Sequence, residues 1–200
     1  MRYFLAILLF TSVMPMMGQT VVLDSVGRPA DYVQSIIGRS QKIVDGLGVD
    51  AVKGIEVRNI LCNRYFWLND LYEKYPKDCA ERNAELYKHH FEFEANLSNY
   101  LDADGVEKVK DGMTYGVVPK TYKAHLEMIP TLKEEEKLQI LNWLKEAREF
   151  AIDAQDSKSK HGWFGKYKGR INNWLAGRGY DLVKEREGWY ERIRQAGGKP

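Results

Sequence analysis

Only two cysteines occur among 200 residues, so a disulfide framework of the kind that staples small secreted domains is excluded. The pair, Cys62 and Cys79, falls on either side of Pro76. If that proline turns a helical hairpin, a rise of about 1.5 Å per residue sets the two roughly 16 Å apart along the axis. A disulfide spans about 7 Å at most between Cα atoms, so free thiols are expected. A strong charge excess is also missing: thirty Lys and Arg face twenty-eight Asp and Glu, a net +2, and a nucleic-acid binder normally carries a broad basic surplus. Beyond the N-terminus no apolar run is long enough to cross a bilayer. Alternating strand patterns, internal repeats and low-complexity linkers are absent. So are the GxSxG, Walker, HExxH and CxxC motifs, and Gly165 to Gly169 lacks the strand and spacing of a phosphate loop. Histidine is scarce. His89, His90 and Glu94 lie close in sequence, but no further His or Cys stands at metal-ligand spacing, so neither a metal site nor a cofactor is expected.

What is present begins with an export signal. Arg2 supplies a positive start, Tyr3 to Phe10 an apolar stretch, and Met17-Gly18-Gln19 a cleavage neighbourhood. The expected organisation is a signal peptide over 1–18, a lead-in over 19–29, one helical domain over 30–196 and a frayed tail over 197–200. Such a chain is exported, most simply to a periplasm.

Apolar residues recur at threes and fours from Ala30 onward, which predicts an all-α helical bundle of five to seven helices. Gly46 and Gly48 stop the first helix, and Asp50 caps the second, which runs to Pro76. A third extends from Lys77 to about Leu101, and a shorter one surrounds Val106 to Asp111. Gly112 to Pro119 clusters β-branched residues with breakers and reads as loop, followed by one or two helical turns over Tyr122 to Met128. Thr131 with Glu134 forms a capping box for a helix from Leu132 to about Ala154. The last two helices are expected near Ser159 to Ala176 and Asp181 to Arg194.

The chemistry concentrates between Ser157 and Tyr180, a stretch with six Lys and Arg and no acid. On a helix, Phe164, Tyr167, Ile171, Trp174 and Leu175 form an apolar stripe. Lys166, Arg170 and Asn173 share another face, and His161 and Asn172 stand near a different edge. Such donors suit carboxylates and sugar hydroxyls, while Trp163 offers a ring face. On the preceding helix Asn142, Glu146, Glu149 and Asp153 share one face. If it meets Lys166 and Arg170, the result is an ion-pair network or a polar site, and Glu146 with Glu149 becomes a candidate acid–base pair for sugar hydrolysis.

Val109 to Tyr115, Tyr122 to Pro130, Glu146-Ala147-Arg148-Glu149, Lys160-His161 and above all Phe164 to Leu175 (FGKYKGRINNWL) resemble the exported helical proteins of domain of unknown function 3826. The resemblance covers about Arg28 to Tyr190. It implies a chain of Bacteroidota, often encoded beside genes for pectin and rhamnogalacturonan breakdown, and hence a role in using pectic polysaccharide.

The leading expectation is therefore an accessory protein that binds acidic oligosaccharides, with no nucleic-acid partner. Lys160, His161, Lys166 and Arg170 meet carboxylates, Tyr115 and Trp163 contact rings, and Asn172 and Asn173 bond hydroxyls. The runner-up is an enzyme that cleaves a uronic-acid linkage by hydrolysis or β-elimination, with Tyr115, His161 or Lys166 as base and Arg170 as carboxylate clamp. A helical chaperone or structural protein without a small ligand is the third reading.

Overall fold

The computed structural model describes residues 20–199; the export signal expected over 1–18 lies outside them. Among the described residues all regular structure is helical, in eight helices, one more than the expected upper bound. They are α1 (Ala30–Val44), α2 (Ala51–Lys74), α3 (Ala80–Ser98), α4 (Ala103–Met113), α5 (Val117–Met128), α6 (Glu134–Ile152), α7 (Ser157–Gly177) and α8 (Leu182–Gln195). None is long and apolar enough to cross a membrane.

Local chemistry explains most boundaries. The side chains of Asp50, Asp102, Asp156 and Asp181 each accept a backbone N–H in the first turn of α2, α4, α7 and α8. Each satisfies a donor that helix geometry leaves orphaned. Pro76 lies in the turn between α2 and α3, and both cysteines are free, Cys62 buried in α2 and Cys79 at the start of α3.

Two expectations need correction. Gly112 to Pro119 is not one loop: Gly112 and Met113 close α4, and Val117, Val118 and Pro119 open α5. Proline is tolerated in a first helical turn because its missing N–H has no partner there. The cap of α6 is not Thr131 with Glu134 but Lys133, whose N–H donates to the Glu136 carboxylate over 2.9 Å. Leu132 is drawn into the core, and Glu136 is also bonded by Tyr180 and Arg178, which moves the helix start two residues on.

The helices build two apolar clusters. Val57, Leu61, Phe66, Phe93, Leu97 and Val109 hold α1 to α4 together; Ile140, Leu144, Ala147, Phe164, Ile171 and Leu175 hold α5 to α7. Full burial of such side chains is worth about 1.5–3 kcal/mol each. The extended lead-in clasps α2, with Val21 N–H on Glu56 at 2.6 Å, Asn59 on Val21 O at 2.8 Å, and Arg28 forked onto Asp70. α6 bridges the clusters, placing Ile152 in the first and packing on α4.

The contact between α6 and the first four helices is ionic as well as apolar. Arg148, 1% exposed, bonds Glu107 at 2.5 Å and Asp111 at 2.8 Å on α4. Lys110 donates to Glu94 and to Glu149, each at 2.8 Å. Asp153 takes Arg64 from α2 and His90 from α3. This seam answers which cations the acidic face of α6 meets. Only Glu146 turns toward α7, where Arg170 stands 3.8 Å away; Glu149 and Asp153 face the other half of the molecule.

Candidate functional site

The sequence-derived candidates separate onto three faces of α7. The first faces the solvent side of α6. Trp163 stacks on Phe150 with centroids 4.6 Å apart, and Lys166 Nζ sits 4.4 Å from the Trp163 ring. Arg170 lies over Trp143 at 4.5 Å and reaches toward Tyr167, whose hydroxyl is bonded to Glu146. Burial, with Glu146 beside it, pushes that phenol up to about 12. Each cation here already has a ring or carboxylate of its own fold. Asn173 is exposed on the same side of α7.

The second face meets the turn between α4 and α5. Tyr115 is the one non-glycine among the described residues with a positive φ, 61°, and Gly116 follows at 65°. A left-handed backbone at a bulky residue stores strain of order 1 kcal/mol, and such strain gathers at functional positions. Tyr115 is exposed, and its ring stacks on His161 at 5.5 Å and 18°. Next to His161, Lys160 is buried, with Nζ bonded to Met113 O at 3.1 Å and 5.7 Å from the Tyr65 ring, over which Arg39 also lies. No carboxylate pairs with Lys160. Burial above all, with the Arg39 charge next and Arg64 last, brings its ammonium down to about 8 against an opposing pull from Asp153. Tyr115, Lys160 and His161 are thus brought together, joined by Arg39 and Tyr65, while Trp163, Lys166 and Arg170 stand apart.

The third face borders a cleft. α5 and α7 both pack on α6 and on α8. Between them opens a cavity of about 350 Å³ lined by Lys120, Thr121, His125, Lys168, Asn172 and Trp189, with Ala124 and Met128. That volume suits a small ligand. No carboxylate lines it, and it combines two ammonium groups, an amide, a hydroxyl and an indole. His125 forms its wall: the ring is buried, Nδ1 is 2.8 Å from Thr121 O, and the Asn172 side chain lines the cleft beside it. Burial holds the imidazole below the ordinary histidine range, and the Lys168 charge adds to this against the opposing pull of Thr121 O and Asn172. Lys120 Nζ also donates to Tyr115 O at 2.9 Å, so the cleft runs toward the Tyr115–His161 pair.

Of the sequence candidates only Asn172 lines this cleft; Lys120, His125, Lys168 and Trp189 were missed. Part of it was readable, because His161, Gly165, Lys168 and Asn172 stand at i, i+4, i+7 and i+11 and form one helix stripe. The contributions of α5 and α8 depend on how helices pack, which periodicity does not convey.

Glu149, a candidate acid or base for hydrolysis, has its oxygens bonded by Lys110 and Arg148 and lies in the seam. Glu146 faces α7, so the two do not converge on one open space. His89, His90 and Glu94 are taken up by Glu92, Asp153 and Lys110, and among the described residues no group of three or more such side chains could hold a metal ion.

Comparison with family models matches residues 73–195, more than half of the chain, to the family described as Protein of unknown function (DUF3826). The chain belongs to this family. Every residue lining the cleft lies inside the DUF3826 match, as do Tyr115, Lys160 and His161, whereas Arg39, Arg64 and Tyr65 precede it. No curated protein matches the chain.

Proposed function

We propose that the cleft between α5, α7 and α8 binds an acidic oligosaccharide of the pectic class, and that the protein works as an exported accessory factor in polysaccharide use. One observation carries the reading: a cavity of sugar size with Lys120 and Lys168, Asn172, Thr121 and the Trp189 ring on its walls and no carboxylate among them. Ammonium groups take the uronate charge, the amide and hydroxyl take sugar hydroxyls, and the indole covers an apolar pyranose face. From His161 to Asn172 the stripe on α7 spans eleven residues, about 16 Å of helix, long enough for a short oligosaccharide.

Native mass spectrometry of the mature protein with pectic fragments tests the reading. Retention of acidic fragments, weakened at least about tenfold by Lys168→Ala, is the expected result. Equal retention of neutral fragments, or none at all, contradicts it.

A second reading is favoured by the strained Tyr115 and the buried, unpaired Lys160. It is cleavage of a uronic-acid linkage by β-elimination, in which a neutral Lys160 amine or the Tyr115–His161 pair removes the proton beside the carboxylate. The electron pair forms the new C=C bond as the C–O bond to the leaving sugar breaks, and that oxygen takes up a proton. Arg39 replaces Arg170 as the nearby guanidinium. The unsaturated product absorbs in the near ultraviolet, so an absorbance assay separates this reading from binding alone.

A further inference from the structure

Cations at the helix contacts of this fold come paired. Arg28, Arg64, Lys110, Arg148 and Arg178 each hold a carboxylate. Two exceptions meet at Tyr65. Lys160 Nζ stands 5.7 Å from its ring and Arg39 lies over it at 5.5 Å, and among the described residues no acid forms an ion pair with either. Lys160 is 6% exposed and places one of its three N–H donors on Met113 O. The residue is close beneath the surface: its chain neighbours Ser159 and His161 are exposed, and His161 stacks on exposed Tyr115, two residues past Met113. An unpaired buried ammonium is costly to a fold. What it supplies in return is a nucleophile, because an amine desolvated beside another cation sheds its proton and can attack a carbonyl carbon.

We propose that Lys160 forms an imine with a small 2-keto acid, with Arg39 holding the carboxylate and the Tyr115–His161 pair standing at the entrance. Here the amine is a nucleophile, not the base of the elimination reading, and nothing in the step depends on a sugar in the cleft. The Nζ lone pair attacks the keto carbon and forms the C–N bond, while the C=O pair moves onto oxygen, which receives one nitrogen proton. The resulting hydroxyl then leaves as water with the second nitrogen proton, and the C=N bond remains. Nothing is oxidised or reduced. The His161 ring and the Tyr115 hydroxyl are the groups at hand to relay these protons.

The groups around the amine favour its neutral form. Arg39 comes from α1 and Arg64 from α2, and His161 stands beside it on α7. Asp153, at the end of α6, opposes them but is engaged by Arg64 and His90. Tyr65 is a neutral phenol, held well above the ordinary tyrosine range by burial. With its ammonium near 8, Lys160 is neutral at pH 7 roughly 250-fold more often than an ordinary lysine.

Reductive trapping tests the assignment. The protein is incubated at pH 7 with sodium cyanoborohydride and either pyruvate or acetone, which carries a methyl group in place of the carboxylate. Peptide mass mapping then locates the stable secondary amine. Lys160 is expected to carry the pyruvate adduct at least about tenfold above the mean of the other lysines, and to lose that preference when the protein is unfolded in urea. In Arg39→Met the ratio of pyruvate to acetone labelling at Lys160 is expected to fall about tenfold. Label spread evenly over the lysines, or a preference that survives in urea, overturns the imine and leaves the cleft reading untouched. An unchanged ratio in Arg39→Met overturns the role of Arg39 and the keto-acid class with it.

Discussion

Lys160 shows how a single residue can cost stability where it sits. Its ammonium is buried without a carboxylate, and its one hydrogen bond is to Met113 O. Burial pushes this ammonium down to about 8 in the folded protein, against 10.5 for an ordinary lysine. Between those values the unfolded chain binds more protons than the folded one, so Lys160 makes stability rise with pH across that window. Below it the penalty is present in full; above it the penalty has gone. Lys160→Met is expected to stabilise the fold by about 1–2 kcal/mol at pH 7, the relieved burial less the lost hydrogen bond, and to flatten the rise between pH 8 and 10.5. Chemical denaturation of both proteins across that range checks this; a destabilised variant at pH 7 would mean that the amine has an unrecognised partner. Tyr115 carries a second local cost. Tyr115→Gly removes its strain and its stack on His161 together, so the expected stability change is within about 1 kcal/mol.

At the scale of the element, α7 combines two tasks. Its apolar stripe was legible in the sequence: Phe164, Ile171 and Leu175 are buried, and Tyr167 and Trp174 are half-buried. The polar residues between them were legible as types but not as a site, because neighbours in sequence point around the helix to different partners. Asn172 lines the cleft, while Asn173 lies on the side of Lys166 and Arg170. Gly165 stands between His161 and Lys168 on the cleft stripe, and a Cβ placed there meets nothing within 4 Å. Glycine inside a helix costs about 0.5–1 kcal/mol relative to alanine. Gly165→Ala is therefore expected to raise stability by that amount in thermal denaturation, whereas Gly165→Trp, filling the space, is expected to abolish oligosaccharide binding without unfolding the protein. Undiminished binding by the tryptophan variant would move the ligand off this stripe.

The whole molecule is two apolar clusters joined across a charged seam, and the seam was the least legible part of the fold. Periodicity located the helices, and Asp50 marked the start of the second. It did not show that Glu149 and Asp153 would turn away from α7 to meet Lys110, Arg64 and His90. Their partners lie tens of residues away on other helices, and a surface stripe and a buried one look alike in one dimension. Arg148 is the best lever on this seam. Arg148→Met leaves Glu107 and Asp111 without their buried cation, and a loss of about 3–5 kcal/mol is expected from equilibrium unfolding. A loss below about 1 kcal/mol, typical of an exposed pair, would mean that water reaches the seam and that the two clusters are joined by apolar contacts alone.

The central claim is that the acid-free cleft recognises a sugar by its charge. Calorimetric titration of the protein with trigalacturonate and with its methyl ester, repeated on Lys168→Ala, tests that claim most directly. The expected result is binding of the acid alone, weakening as salt is raised and reduced at least about tenfold in the variant. Equal binding of acid and ester, or full affinity in Lys168→Ala, would contradict it.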